Sequence, residues 1–363
     1  MNKKIRALIA VGGTGGHVFP GINLASNLIK KNYNVTIVTD KRGYKFFKET
    51  DKKNVLVFPS SPLIKKNIFL FMFSLLLILY SILRSLILLI YNRPNIIFGM
   101  GGYASFPICI AAAILRIKFV IYENNLIIGR ANKKLLPFAE KILVSNKKLE
   151  GISLKYDFKT IEVGNIIKKE IINFSLDLKI KKKELKILVL GGSQAAQIFA
   201  EILPKIFKQC SEKGIPIKII QQCLPDQNQE LSSFYKSIKI EYKLFNYSKN
   251  IIEFFPKINL AITRSGSSVL AELTNANIPF ISIPLPSSVD NHQLKNAIFY
   301  KSKNFSFLVE EKDLKDKLFS LLKEIYENIS KLDEISANQK HYSDKHVYKN
   351  IDKVLDKILN EKN

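Results

Sequence analysis

Three features of the sequence predict an α/β fold made of two doubly wound parallel-sheet domains. Short apolar runs rich in β-branched residues alternate with longer amphipathic segments, the rhythm of a parallel sheet with crossover helices. The series runs twice, interrupted by a Lys-rich stretch at residues 179–183. Each series also opens alike: a strand, a Gly-Gly pair with a hydroxyl residue, then a helix, at residues 10–16 and again at 190–194. A length of 363 residues, at roughly 150 per domain, fits two such units.

Taken in order, strands are expected at residues 5–11, 34–39, 55–58, 96–98, 119–122 and 142–144. The second series is expected at 186–190, 217–221, 259–263, 279–283 and 305–309. The domains then run from 1 to 164 and from 165 to 340. Residues 341–363 read as a charged amphipathic helix with Val347, Ile351, Val354, Leu355 and Ile358 on one face, expected to return to the first domain.

Segment 68–91 follows a different rule. Its Leu, Ile and Phe residues number seventeen, and at about −0.3 to −0.6 kcal/mol each they outweigh one arginine at about +3. Hydropathy alone predicts a membrane span. Topology opposes it, because the strands before and after belong to one sheet and cannot lie on opposite sides of a bilayer. At 100° per residue Ser74, Ser81, Ser85 and Asn92 share a face, with Phe69, Met72, Leu76, Leu79, Leu83 and Ile87 opposite. The small face is expected on the sheet and the bulky face outward, flanked by Lys65, Lys66 and Arg93, as on an anionic membrane surface. The competing expectation is a wholly buried helix.

Fifty-six Lys and Arg against 31 Asp and Glu leave a net charge of +25, while 47 % hydrophobic residues exclude intrinsic disorder. The charge points either to an anionic partner or to compositional bias alone. No RNP-type aromatic set, helix-turn-helix or zinc motif accompanies it, so nucleic acid is not an expected partner. Three cysteines without C-x-x-C spacing exclude a disulfide framework. Met-Asn-Lys-Lys leads straight into the first strand, which predicts no signal peptide and a cytoplasmic protein.

Four glycine turns follow strands. Gly12-Gly13-Thr14-Gly15-Gly16-His17 departs from G-x-G-x-x-G, and the only acid near the end of the second strand is Asp40. His17 stands where such folds bind ligands, as a general base or as a helix-capping residue. Gly99-Met100-Gly101-Gly102-Tyr103 opens on the same edge. Gly191-Gly192-Ser193-Gln194 offers amides and a hydroxyl suited to a diphosphate. Arg264-Ser265-Gly266-Ser267-Ser268 leads into a helix bearing Glu272, which suits paired ribose hydroxyls or, alternatively, only the helix dipole. Glu123-Asn124-Asn125 and Asp290-Asn291-His292-Gln293 supply carboxamides that match sugar hydroxyls, or act as helix caps. Together the turns predict a nucleotide ligand in a cleft between two domains.

These motifs, in this order from Ile5 to about Ala297, resemble the MurG family, the peripheral-membrane N-acetylglucosaminyltransferases of peptidoglycan synthesis. Gly164-Asn165 belongs to the same set. The resemblance implies a GT-B fold, with two Rossmann-like domains facing across a cleft. It also implies inverting transfer of GlcNAc from UDP-GlcNAc to the C4 hydroxyl of lipid I, giving lipid II, with no metal or other cofactor. Thr14, Gly15 and Gly16 would approach the donor, with His17 as base and Glu123 as the alternative. Asn125 and Gln293 would hold the sugar, Ser193 and Lys168 the diphosphate, Ser267, Ser268 and Glu272 the ribose, and the loop at Tyr247 and Ser248 the uracil. The implied setting is the cytoplasmic face of the inner membrane, in cell-wall biogenesis, cell shape and division. The sequence departs from the family where Ile166-Ile167-Lys168 replaces Pro, a small apolar residue and Arg, where Tyr122 replaces His, where His292 replaces Gln and where Ala195 replaces Gly. The rivals are another GT-B enzyme, such as a lipid glycosyltransferase or a UDP-GlcNAc 2-epimerase, and a basic nucleic-acid-binding protein.

Overall fold

The structure, a computed structural model, describes residues 4–47, 52–62, 67–174, 183–192, 196–246, 248 and 250–360. Ser193, Tyr247, Lys65, Lys66 and most of the basic stretch 179–183 lie outside them. The chain divides into two compact units: Met1–Ile167 with Asp344–Asn363, and Lys168–Ser343. The crossings, after Ile167 and Ser343, therefore fall three residues beyond each expected boundary, 164 and 340.

Unit 1 contains β1 (Arg6–Ala10), α1 (Gly15–Lys30), β2 (Asn34–Thr39), α2 (Lys41–Tyr44), β3 (Val55–Val57), α3 (Ile68–Asn92), β4 (Ile96–Gly99), α4 (Ser105–Ile114), β5 (Phe119–Glu123), α5 (Arg130–Leu135), β6 (Lys141–Val144) and β7 (Thr160–Glu162). Its strands lie in the order β3-β2-β1-β4-β5-β6-β7, and every neighbouring pair is parallel. The order reverses between β1 and β4. Ligands of such sheets bind outside the carboxyl ends of the strands at this switch point.

Unit 2 contains α6 (Lys169–Ile172), β8 (Leu185–Leu190), α7 (Ala196–Glu212), β9 (Ile217–Gln222), α8 (Asn228–Ser237), β10 (Glu241–Phe245), β11 (Leu260–Arg264), α9 (Ser267–Asn275), β12 (Phe280–Ile283), α10 (His292–Ser302), β13 (Phe307–Leu308), α11 (Leu314–Glu327) and α12 (Ser330–Lys340). Its parallel order is β10-β9-β8-β11-β12-β13, with the switch between β8 and β11. Strand parity explains the layering. Leu185, Ile187 and Val189 cluster with Phe199, Leu203 and Phe207 of α7, whereas Leu188 and Leu190 cluster with Leu270 and Leu273 of α9. Because successive side chains point to opposite faces, a continuous apolar run buries both.

Strands β7 and β10 are the two that apolar runs do not predict. Both are edge strands, both carry Glu, and neither has a fully buried position. An edge strand needs only one apolar face and is protected by charge, so it lacks the signal of a central strand.

The final helix is α13 (Val347–Asn360), starting later than expected, since His341 ends α12. Val347, Ile351, Val354, Leu355 and Ile358 are all buried. It packs on unit 1: Tyr348 Oη donates to Ile167 O at 2.6 Å, Asn350 Nδ2 to Val163 O at 3.3 Å, and Ile358 O accepts from Lys118 Nζ at 3.0 Å. Lys31 pairs with Asp352.

Helix α3 turns its serines inward. Ser74, Ser81, Ser85 and Leu89 are buried, whereas Phe69 is 80 % exposed, Leu76 59 %, Leu79 48 %, Leu83 60 % and Tyr91 84 %. The expectation of a wholly buried helix therefore fails. Ser81 Oγ donates to Pro59 O at 2.7 Å and Asn92 Nδ2 to Thr36 Oγ1 at 3.2 Å, tying the small face to the sheet. Arg84 is tolerated in the apolar run because its guanidinium reaches back over the Phe58 ring, 4.4 Å from the centroid, and donates to Val57 O.

Candidate functional site

In unit 1 the two glycine turns at the β1/β4 switch lie against each other. A Cβ on Gly102 would stand 2.5 Å from Gly12 O, and one on Gly12 would stand 2.5 Å from the Ala104 Cβ. Gly102 has φ +78° and Gly13 φ +83°, so glycine meets both the space and the backbone requirement at Gly102 and the backbone requirement at Gly13. His17 lies in the first turn of α1, and a Cβ on Gly101 would come within 2.8 Å of its Nδ1. Its imidazole thus rests on the second glycine turn, half-buried at the carboxyl edge of the sheet. Thr14 and Gly16 are exposed and Gly15 half-buried beside it.

Asp40, just past the end of β2, faces inward instead of toward a ligand and is 3 % exposed. Its Oδ1 accepts from Gly43 N at 2.7 Å and Gly13 N at 3.2 Å; its Oδ2 accepts from Ser60 Oγ at 2.8 Å and Arg42 Nη2 at 3.0 Å. Burial by itself would raise this carboxyl, but the bonds from Gly43, Ser60, Gly13 and Arg42 hold it below its ordinary value.

Glu123 is 1 % exposed at the end of β5. Its Oε1 accepts from Asn125 N at 3.1 Å and Asn125 Nδ2 at 3.0 Å, and its Oε2 from Gly129 N at 2.8 Å and Asn132 Nδ2 at 3.0 Å. Both oxygens thus brace the turn that follows the strand. Asn125, expected at the donor sugar, donates to this carboxylate. Asn124 Nδ2 donates to Gly16 O at 2.9 Å and joins this turn to the first glycine turn. Tyr122, where the family has His, accepts from Ile166 N at 3.0 Å and donates to Gly164 O at 3.3 Å. Burial, ahead of the nearby carboxyls Asp344 and Glu123, pushes its phenol well above the ordinary value. Gly164 has φ +97°, and the next residue, Asn165, donates its amide to Asp344 Oδ1 at 2.8 Å.

In unit 2 the predicted residues gather at the β8/β11 switch. Gly192, φ +70°, follows β8, and among the described residues nothing lies within 4 Å of where a Cβ would stand. Gly266 is the N-cap of α9 in an extended conformation and has no side chain to cover the first amides; buried Ser267 and half-buried Ser268 follow. Gln293 Oε1 accepts from Ser265 N at 3.2 Å and Leu285 N at 3.0 Å, while Asn296 Nδ2 donates to Ser265 O at 3.1 Å. Helix α10 therefore holds the loop that starts α9. Asp290 and Asn291, φ +52° and +55°, are left-handed, and the side chain of Asn291 makes no capping bond, so the cap reading fails there. Ser248 Oγ donates to Glu253 at 3.1 Å and accepts from Asn250 N at 3.0 Å, bracing its own turn.

Glu272 lies one turn into α9. Burial pushes its carboxyl up to about 7, against the pull of the Lys168 charge from the start of α6. Lys168 thus bears on Glu272 within unit 2. The braces Asp40, Asn132 and Asn296 are not among the residues that spacing singles out for chemistry, whereas Asn124, read as a carboxamide for sugar hydroxyls, joins two turns instead.

Comparison with known proteins agrees with this architecture. Residues 7–144 match the glycosyltransferase family 28 N-terminal domain, and residues 186–352 the glycosyltransferase family 28 C-terminal domain. The UDP-N-acetylglucosamine–N-acetylmuramyl-(pentapeptide) pyrophosphoryl-undecaprenol N-acetylglucosamine transferase of Pelagibacter ubique is 32 % identical over 362 residues, covering 99 % of this chain and 100 % of that one. A crystal structure of Acinetobacter baumannii MurG superposes with TM-score 0.76 at 21 % identity, over 97 % of this chain and 99 % of the other. The UDP-GlcNAc 2-epimerase of Neisseria meningitidis, bound to UDP-GlcNAc, gives TM-score 0.64 at 12 % identity, over 98 % and 100 %. The fold alone is shared by transferase and epimerase, and full-length sequence identity separates them. The chain belongs to glycosyltransferase family 28, among the UDP-N-acetylglucosamine–N-acetylmuramyl-(pentapeptide) pyrophosphoryl-undecaprenol N-acetylglucosamine transferases.

Proposed function

We propose that the chain transfers GlcNAc from UDP-GlcNAc to the C4 hydroxyl of the MurNAc sugar of lipid I, making lipid II for peptidoglycan. The observation that carries this reading is the 32 % identity, over essentially the whole chain, to a transferase of that name. His17 removes the hydroxyl proton, and the oxygen attacks the anomeric carbon from the face opposite UDP, inverting it. His17 is favoured over Glu123, whose two oxygens already accept four N–H bonds. In unit 2 the glycine turn after β8, the glycine-capped start of α9 and Lys168 suit the departing diphosphate, and Glu272 the ribose.

The enzyme works at the cytoplasmic face of an anionic membrane. Helix α3 supports this reading, being 25 residues long, with a mean hydropathy of 2.4 in its most apolar window and only 22 % of that window buried. An apolar face beside cations docks on such a surface without crossing it.

The test is incubation with radiolabelled UDP-GlcNAc and lipid I. A labelled disaccharide lipid with one UDP released per transfer is expected. Conversion of UDP-GlcNAc to its C2 epimer without acceptor would overturn the reading in favour of the rival.

Glu272 gives a pH-dependent prediction. Only the ionised carboxylate accepts two ribose hydroxyls, so UDP-GlcNAc affinity rises with pH through about 7. Calorimetry is expected to show a Kd roughly tenfold weaker at pH 6 than at pH 8, one decade per unit below the pKa. UDP-GlcNAc is the better ligand because its diphosphate has no terminal phosphate titrating in this range. Glu272→Gln is expected to flatten the profile, and an unchanged profile would assign Glu272 to the helix alone.

A further inference from the structure

Asp40 gathers three separate segments onto one side chain: the first glycine turn through Gly13, α2 through Arg42 and Gly43, and the run before α3 through Ser60. A carboxylate at the end of the second strand of such a sheet commonly faces a ribose. Here both oxygens point into the protein and the side chain is 3 % exposed. Gly13 is the residue at which the turn enters the left-handed region, with φ +83°, so its amide fixes the path of the turn. Thr14 caps α1 without a side-chain bond, and His17 follows in the first helical turn. Displacing Gly13 therefore displaces the imidazole.

We propose that Asp40 is a positioning residue for the transfer: its Oδ1 anchors the Gly13 amide and thereby places His17 against the acceptor hydroxyl. The proposal rests on His17 acting as base. The four donors keep the carboxylate ionised at neutral pH, so the anchor persists there. Ser60 follows Pro59, whose carbonyl accepts from Ser81 of α3, so the anchor is itself held by the long helix. A misplacement of about 1 Å in a catalytic group is enough to cost roughly 100-fold in rate.

The experiment compares the full-length native chain with Asp40→Ala, Asp40→Asn and Ser60→Ala. It measures kcat and both KM values with UDP-GlcNAc and lipid I, and Kd for UDP, well below each variant's Tm. Asparagine keeps the Oδ1 acceptor and can donate to Ser60, whereas Ser60→Ala removes only an Oδ2 donor. Asp40→Ala is expected to lower kcat by roughly 10–100-fold, with donor KM and UDP Kd within about twofold of native. Asp40→Asn is expected to recover kcat to within about fivefold, and Ser60→Ala to stay within about threefold, because both keep the Gly13 bond. A folded Asp40→Ala chain with native kcat overturns the proposal, and so does a folded Asp40→Asn chain as slow as Asp40→Ala. Should Asp40→Ala not fold, a folded Asp40→Asn chain slower than native by more than about 30-fold overturns it alone. If the native chain itself does not turn over, the functional reading falls and the proposal with it; slow Asp40→Ala beside fully active His17→Ala overturns the link to His17 only.

Discussion

Replacing His17 with alanine is expected to lower kcat by roughly 10²–10⁴, the usual range for removing a general base, while Kd for UDP stays within about twofold. The two quantities separate because the imidazole lies in unit 1, on the Gly101 backbone, whereas the loops assigned to the nucleotide lie in unit 2. Pre-steady-state transfer of labelled GlcNAc checks the first and calorimetry the second. Glu123→Gln is the companion variant. Its carboxylate accepts from Asn125, Gly129 and Asn132, so an amide there would turn donor against donor and lower Tm. A native rate in His17→Ala together with a stable, inactive Glu123→Gln chain would move the base to Glu123.

The second large effect concerns α3. Changing Leu76, Leu79 and Leu83 to serine is expected to move the protein from vesicle-bound to free in a flotation assay, with UDP binding retained. Full burial of a leucine is worth about 1.5–3 kcal/mol. These three are 48–60 % exposed, so about half of that remains to be gained at a membrane. The sum, roughly 3 kcal/mol, corresponds to about a 100-fold change in partitioning. Vesicles with anionic lipid should show the difference most strongly, because attraction to cations near the surface adds to the apolar term. A triple variant that loses UDP binding together with vesicle binding would instead assign these leucines to folding.

What was legible in the sequence follows from where each signal originates. Central strands such as β8 are buried on both faces and, from Ile187 to Leu190, show as an unbroken apolar run. The inward face of α3 was legible because Ser74, Ser81 and Ser85 recur at helical spacing, and three small residues in so apolar a segment mark a close approach. Strands β7 and β10 were not legible, since an edge strand packs only one face, as β10 does through Tyr242 and Leu244, and so shows no apolar run. At the site, glycine turns and His17 show in composition and order. Asp40 does not, because its role comes from amides of Gly13 and Gly43, which no side-chain pattern records. The same holds for Glu123, which the family resemblance offers as the alternative base and geometry binds to four N–H groups.

The return of α13 to unit 1 has a consequence for biosynthesis. Unit 2 is one unbroken stretch of chain, whereas unit 1 is closed by Asp344–Asn363, made after all of unit 2. On the ribosome, where domains generally fold as units from the N-terminus, unit 2 can therefore finish first although it is translated second. Until then the unit 1 groups that this last segment engages wait for it: Ile167 O for Tyr348, the Asn165 amide for Asp344, Lys31 for Asp352. The nascent chain thus carries an open sheet domain and the apolar face of α3 together for most of its synthesis. That interval is when aggregation competes with folding, and the arrival of α13 ends it.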